Sequence, residues 1–382
     1  GMTTLDGNTA ASSLSTAGPL LRSAGIVGLS TALSRVLGFA RDWLIAIFYG
    51  TSPVAQAFVV AFRLPNLLRD LVGEGAANTA FVPVFSRTRA LEGRASWAAL
   101  VQAVWVRLLI LFLAVCAAGV LAAPILVSVV APGFRADPKL LRLAGDLTRI
   151  LFPFIGLVGM AAFFMGLLNS AHHFTLPSLG PAVLNLCMIA GIFLWTAQAR
   201  GLAWGVLAGG ILQLVIQLPA LRREGIRLGL RWVSHPGVGE IRRLLIPRTV
   251  GSAVYQISAL VDTMFASFSQ WVGAGGIAAL YFAHRFLHLP LALFGISMAQ
   301  VALPTLSSQA ATEDAAGVRR TVWLALRTSL LIALPSSIGL IVLAHPIIRT
   351  LLEHGEFSSD STALTVAALQ WYAVGLASLC AG

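Results

Sequence analysis

Charge is scarce in this sequence. Only 11% of its 382 residues are Asp, Glu, Lys or Arg, whereas an ordinary soluble domain carries about 25%. A water-soluble globule of this length would have too few charges to cover its surface, which argues against a soluble enzyme or a nucleic-acid binder. Lysine is nearly missing, since Lys139 is the only one among 26 basic side chains. Cysteine is limited to Cys116, Cys187 and Cys380, each inside an apolar run and in no metal-ligand or redox spacing. That excludes a disulfide framework and leaves them as packing residues. No G-x-x-x-x-G-K-[ST] run occurs, and the loops are too short for an ATPase domain, a catalytic triad or a metal cluster. Residues 1–22 lack a basic start followed by an apolar run, so they read as a disordered cytoplasmic N-terminal tail and not as a cleavable signal peptide.

Apolar side chains fill the space that charge leaves. They make up 57% of the chain, with a mean hydropathy of +0.85 and 36 glycines. This is the composition of helices packed in lipid, and the fold class it predicts is an all-α polytopic membrane protein. A spanning helix needs roughly 20 mainly apolar residues. Ten segments satisfy that, at about 24–49, 54–85, 98–130, 140–170, 177–198, 202–221, 240–269, 274–306, 320–350 and 362–382. Pro65, Pro153, Pro247, Pro290 and Pro335 fall inside them. Each removes a backbone hydrogen bond and calls for a packed neighbour or a cavity beside it.

Arginine orients the segments. The loop after segment two carries Arg87, Arg89 and Arg94; that after segment six carries Arg222, Arg223, Arg227 and Arg231, followed by Arg242 and Arg243; that after segment eight leads to Arg319 and Arg320. The loops after segments one and seven have none, and the loop after segment five has only Arg200. The even loops are therefore expected in the cytoplasm, with the N-terminus inside. The RREGIRLGLRW stretch reads as a short surface helix on anionic headgroups. It separates an N-terminal lobe at 23–221 from a C-terminal lobe at 240–382, with 222–239 as a basic linker.

Topology does not account for the charges inside the segments. Segment one holds Arg35, Arg41 and Asp42; segment two holds Arg63, Arg69, Asp70 and Glu74; segment eight holds His284 and Arg285. Each costs about 2.5–3.5 kcal/mol or more at the bilayer centre, so they are expected to line an aqueous cavity. Arg35 and Arg41 sit six positions apart, about 120° off one helix face, and Gly38 between them offers a bend. The arginines outnumber the acids, and guanidinium binds phosphate oxygens bidentately, so an anionic, phosphate-bearing substrate follows. The competing reading is structural pairing of Arg41 with Asp42, and of Arg69 with Asp70 or Glu74. Arg35 and Arg285 have no acid within a turn. Asp262 is the one acid within segment seven, placed for cation or proton coupling, helix capping or pairing with a distant arginine.

The stretch SRVLGFARDWLIAIFYGTSPVAQAFVVAFRLPNLLRDLVGEGAANTAFVPVFSR resembles the N-terminal signature of the MurJ (MviN) family. ALYFAHRFLHLPLALFGISMAQVALPTLS and the GEF at Gly355 to Phe357 agree with it as well. The family comprises lipid II flippases of the MOP superfamily. The resemblance implies a two-lobed transporter core of about ten transmembrane helices here, with a central cationic cavity, working by alternating access. The substrate would be the undecaprenyl-diphosphate-linked peptidoglycan precursor. The family's functional arginines fall on Arg35, Arg41, Arg69 and Arg285, and its second-helix acid on Glu74, with Asp42 as a second supporting acid.

Gln56 and His284 stand where the family commonly has aspartate, which makes the cavity more positive. The family usually has fourteen helices, and this chain stops inside the tenth. Lipid II and membrane lipids are the expected partners, with other cell-wall synthesis proteins as further ones, no nucleic acid, and a monomeric state. The expected location is the bacterial inner membrane. No cofactor is expected beyond a coupling cation or the membrane potential. A MOP-type exporter of another anionic glycolipid or drug is the runner-up, and a non-transporting scaffold for cell-envelope enzymes is the alternative from another class.

Overall fold

Apolar runs punctuated by glycine and proline fold here into helices, and no strand occurs among the described residues. The computed structural model describes the backbone of residues 7–72, 77–171, 173–195, 198–291 and 297–381. Side chains are described over the same residues, less 7–24, 68–72, 77–78, 248–255, 297, 299–301 and 381. The principal helices are α1 (Gly7–Tyr49), α2 (Pro53–Val72), α3 (Val82–Leu91), α4 (Gly93–Val130), α5 (Pro138–Leu151) and α6 (Phe154–Ser170). They continue as α7 (Gly180–Leu194), α8 (Ala199–Val215), α9 (Gly237–Ala266), α10 (Gly276–Pro290), α11 (Ser297–Ala311), α12 (Ala315–Leu352) and α13 (Ser359–Ala381).

Local chemistry sets several of these boundaries. Asp137 caps α5, accepting from the backbone of Lys139 and Leu140 at 3.0 and 3.2 Å with Pro138 at the first helical position. Asp314 caps α12 through Gly317 at 2.8 Å. Pro153 interrupts the 140–170 segment between α5 and α6. α1 begins at Gly7, within the segment expected as a disordered tail. Good helix formers such as Ala10, Ala11, Leu14, Leu20 and Leu21 favour that extension.

Six helical stretches among the described residues are long and apolar enough to cross a membrane: Gly93–Val130, Pro138–Ser170, Thr175–Leu194, Ala199–Arg223, Ala315–Leu352 and Ser359–Cys380. The other four expected segments carry in-span charges, run through residues outside the described set, or both. In Gly93–Val130 only 22% of the most apolar window is buried. Leu113, Leu121, Ile125 and Val129 are exposed along it. An apolar face of that extent would associate or aggregate in water, and lipid is the solvent that suits it.

The helices divide into two compact units, and the chain visits one of them twice. Unit 1 takes the chain up to Arg41 together with Val60–Asp262; unit 2 takes Asp42–Val59 together with Thr263 onward. The division therefore differs from the expected break at 222–239, because that segment is fastened to unit 1. Gln102 bonds both the backbone nitrogen and the carbonyl of Gly229, at 2.9 and 2.6 Å. Arg107 donates to the Val233 carbonyl at 2.7 Å and lies over the Trp232 ring at 4.3 Å. Nor is the RREGIRLGLRW stretch a surface helix. Helix stops at Arg223, Gly225 turns at φ +71°, and the chain is non-helical from 226 to 235.

Unit 1 is built on an aromatic core in which Phe81, Phe85, Trp105 and Phe164 surround Phe163. Its α7 and α8 pack backbone to backbone. A β-carbon on Gly191 would lie 2.5 Å from the Gly201 carbonyl, so only glycine permits that approach. At one end, the loops that follow segments two, four and six come together. Arg89 Nη2 pairs with Glu224 Oε2 at 3.1 Å and His173 Nε2 with Oε1 at 2.9 Å. Arg94 donates to the Glu224 carbonyl at 3.0 Å, and Arg87 forks onto Glu240.

Burial pushes the Glu224 carboxyl up, but the bonds from His173 and Arg89 and the Arg89 charge outweigh it and leave the pKa lowered. A depressed carboxyl adds stability above its unfolded pKa, and that stability is lost as pH falls through the folded value. Glu224→Gln is accordingly expected to melt below the parent at pH 7, with the gap closing as the pH drops below the ordinary carboxylate range. Thermal unfolding of both proteins across pH 3–7 in detergent checks this, and a constant gap would reject it.

Unit 2 gathers the loops that follow segments one, seven and nine. Thr51 Oγ1 lies 2.8 Å from Ser361 Oγ, and a β-carbon on Gly275 would meet Thr51. The Glu356 amide donates to the Ile47 carbonyl at 2.8 Å, Trp43 Nε1 donates to the Leu351 carbonyl at 2.7 Å, and Phe357 is buried edge-on against Phe282. The GEF tripeptide thus grips the end of α1.

Candidate functional site

In-span charge has to find partners inside protein, and each unit provides for one arginine in its own way. In unit 1, Arg41 is 7% exposed and donates through Nη1 to Asn185 Oδ1 at 2.7 Å, with Met188 Sδ at 3.9 Å. Asn185, itself buried on α7, turns its amide nitrogen back to the Ser34 carbonyl of α1 at 3.0 Å. This double contact needs room, and Gly38 supplies it: a β-carbon there would stand 3.3 Å from the Asn185 amide nitrogen. Gly38, expected as a bend between Arg35 and Arg41, serves as the slot for Asn185 within a continuous helix. Arg35, six residues earlier, is exposed and has no partner among the described residues.

In unit 2 the arginine is Arg285. Its Nε pairs with Asp42 Oδ2 at 2.8 Å, and Tyr281 donates its hydroxyl proton to Asp42 Oδ1 at 2.6 Å. Arg285 Nη2 donates to the Tyr281 oxygen at 3.2 Å, and the guanidinium lies 5.0 Å from the ring centroid. Asp42 is largely buried, at 11% side-chain exposure, while Arg285 is 45% exposed. Arg285 lacks an acid within a turn of its own helix, and α1 supplies one from far away in sequence. His284 stacks edge-on against His288 at 4.3 Å and Tyr372 at 5.8 Å.

The remaining expected residues divide in three ways. Arg63 donates to the Ala259 carbonyl at 2.9 Å, joining α2 to α9 in unit 1. Asp262 is exposed near the end of α9, and no group of three or more His, Cys, Asp or Glu suited to a metal exists among the described residues. The side chains of Arg69 and Asp70, and the whole of Glu74, lie outside the described residues.

Two participants were not singled out from sequence. Asn185 is the one strongly polar side chain in the GPAVLNLCMIAGIFL helix. Tyr281 precedes Arg285 by four positions, which places both on one face. Both signals were there to be read: a lone amide in an apolar span needs a partner, and an i,i+4 phenol is within reach of a guanidinium. The cysteines are free and half-buried, as packing residues are.

Comparison with known proteins gives a consistent result. The family model for the lipid II flippase MurJ matches residues 45–381. Lipid II flippase MurJ of Burkholderia cenocepacia is 34% identical over 355 residues, covering 91% of this chain and 68% of its own length. Among solved structures, a lipid II flippase MurJ in an inward closed conformation superposes with a TM-score of 0.79 at 28% identity, over 93% of this chain and 73% of that one. An inward-facing multidrug resistance MATE family transporter of the MOP superfamily reaches a TM-score of 0.72 at 15% identity, over 90% and 78%, a likeness of fold alone.

Proposed function

The chain belongs to the MurJ lipid II flippase family, and from that premise we propose that it moves lipid II from the cytoplasmic to the periplasmic leaflet of a bacterial inner membrane, by alternating access. It is a multi-pass membrane transporter and not an enzyme. The observation that carries the reading is the family match over 45–381. The diphosphate of lipid II is the anion that the in-span arginines call for on independent physical grounds.

In this reading Arg35, Arg41, Arg69 and Arg285 take the diphosphate and head group. Asp42 and Glu74 moderate the local charge. Arg41 is oriented by Asn185, so its guanidinium meets an incoming anion with its position already set, which lowers the ordering cost of binding. The polyprenyl tail stays in lipid, since extracting it would sacrifice about 0.8 kcal/mol per methylene.

The N-terminus is placed in the cytoplasm. Support comes from the arginine count, and from the meeting of the loops after segments two, four and six at one end of unit 1. Drive by a cation at Asp262 or by the membrane potential belongs to the same proposal. The protein acts as a monomer, alongside other cell-wall synthesis proteins.

The test is to supply the protein to a bacterium depleted of its own flippase and measure how much lipid II becomes accessible at the outer leaflet. Restored accessibility is expected. Restored export of another glycolipid, with lipid II still confined inside, would turn the assignment to the MOP-type exporter reading.

A further inference from the structure

The stretch 222–243 carries six arginines, Arg222, Arg223, Arg227, Arg231, Arg242 and Arg243, and all six are exposed. Its two acids are already engaged, Glu224 with Arg89 and His173, and Glu240 with Arg87. None of the six arginines pairs with an acid among the described residues. Charge of one sign gathered in this way calls for an anionic partner. The apolar side chains among the arginines narrow the choice. Leu230 is 80% exposed and Trp232 65%, which suits a surface that offers both charge and hydrocarbon.

Depth along α4 is the second observation. Gln102 holds the amide and carbonyl of Gly229, and the Arg231 carbonyl at 3.1 Å. Arg107 holds the Val233 carbonyl and lies over the Trp232 ring. The exposed apolar face of the same helix opens just beyond, at Ile110, Leu111 and Leu113. At 1.5 Å per residue, Ile110 is about 4.5 Å further along the axis than Arg107. Trp232 thus stands at the height where hydrocarbon begins, the level at which tryptophan collects at membrane surfaces.

We propose that residues 227–232, clamped on α4, form a seat for an anionic phospholipid. Leu230 and Trp232 enter the hydrocarbon boundary, and Arg227 and Arg231 take headgroup phosphates of the leaflet that this end of unit 1 faces. Such a lipid is a resident of the protein surface and not its cargo, so the seat is independent of which molecule is transported. A free basic loop would lose backbone freedom on meeting a headgroup. Here the bonds to Gln102 and Arg107 have already fixed Gly229, Arg231 and Val233, which lowers the ordering cost of binding. Each guanidinium can then meet phosphate with two parallel N–H donors.

The test reads Trp232 directly. The whole chain is placed in nanodiscs of phosphatidylcholine with a minor share of phosphatidylglycerol, and one lipid or the other is brominated on its acyl chains. Bromine quenches nearby tryptophan. Subtracting the signal of the same protein carrying Trp232→Phe isolates this residue from the rest of the nine tryptophans. Brominated phosphatidylglycerol is expected to quench Trp232 well beyond its share of the bilayer. Arg227→Gln together with Arg231→Gln should lower that preference about fivefold for each arginine removed. Gln102→Leu changes no charge and should lower it as well, by freeing the clamped backbone. Melting temperatures check that each variant is folded.

Quenching by the two lipids in simple proportion to their abundance would overturn the seat, as would a preference that survives the double arginine variant. A preference that survives Gln102→Leu would overturn the part given to the clamp. Quenching by acrylamide in the water but by neither lipid would put Trp232 in solvent, and protection from all three would mean that another protein surface covers it. Either result rejects the lipid as the occupant.

Discussion

Arg41→Ala should fail to support growth when it is the only flippase in a depleted bacterium, although the protein still reaches the membrane. Arg41 is held at 7% exposure by Asn185, so its charge is kept out of bulk solvent and aimed. A charge-assisted bond to phosphate in such a setting is worth about 1.5–3 kcal/mol, or roughly a ten- to hundredfold loss in transport rate. Arg285→Ala should act similarly, and Arg35→Ala more mildly, because its side chain is exposed and no partner among the described residues orients it. Lysine at 41 should rescue poorly, since a single ammonium cannot hold Asn185 and still present a planar fork. Growth is read against membrane levels of each variant. Normal growth of all three alanine variants would refute an arginine-based diphosphate site.

The second large effect concerns the grip on α1. Gly355→Val should strip folded protein from the membrane fraction. Gly355 adopts φ +59°, and any β-carbon there runs into the Ile47 carbonyl. Gly50 opposite is equally constrained at φ +53°, against the Glu356 carbonyl. Left-handed backbone costs a side chain about 1–2 kcal/mol. Overpacking adds about 1–3, and loss of the Glu356-to-Ile47 hydrogen bond about 1 more. That is a large share of the stability of an ordinary protein. Glu356→Ala keeps the backbone contact and should behave like the parent. Gly355→Val accumulating with an unchanged melting temperature would show that the close approach is dispensable.

Much of this was legible beforehand because lipid makes charge conspicuous. Arg41, Asp42 and Arg285 stand out in apolar segments, and the structure gives all three specific partners. What the sequence concealed was which partner each would take. Asn185 and Tyr281 bear no formal charge and so produce no insertion penalty to notice. The Asp42–Arg285 pair spans most of the chain, and no local periodicity encodes it. Strong basic patterning suggested a surface helix at 222–232, but Gly225 and Gly229 together with anchors from Gln102 and Arg107 favoured an extended course. The unit boundary was hidden for the same reason: α1 is one uninterrupted helical signal, yet its two ends belong to different packing groups.

That division of α1 sets an order of events during synthesis. Unit 1 has every residue it needs once the chain has been made as far as Asp262. Asp42–Val59 is made early but belongs with Thr263 onward, so it must wait about two hundred residues for the elements that complete it. Until α10 arrives, Asp42 has neither Tyr281 nor Arg285, and until the 353–358 loop arrives the Ile47 carbonyl lacks the Glu356 amide. In hydrocarbon such groups cannot stay bare. The nascent chain therefore passes through a stage in which one half-built unit needs shelter from lipid, whether water at the insertion site or a membrane chaperone, while the other is already closed.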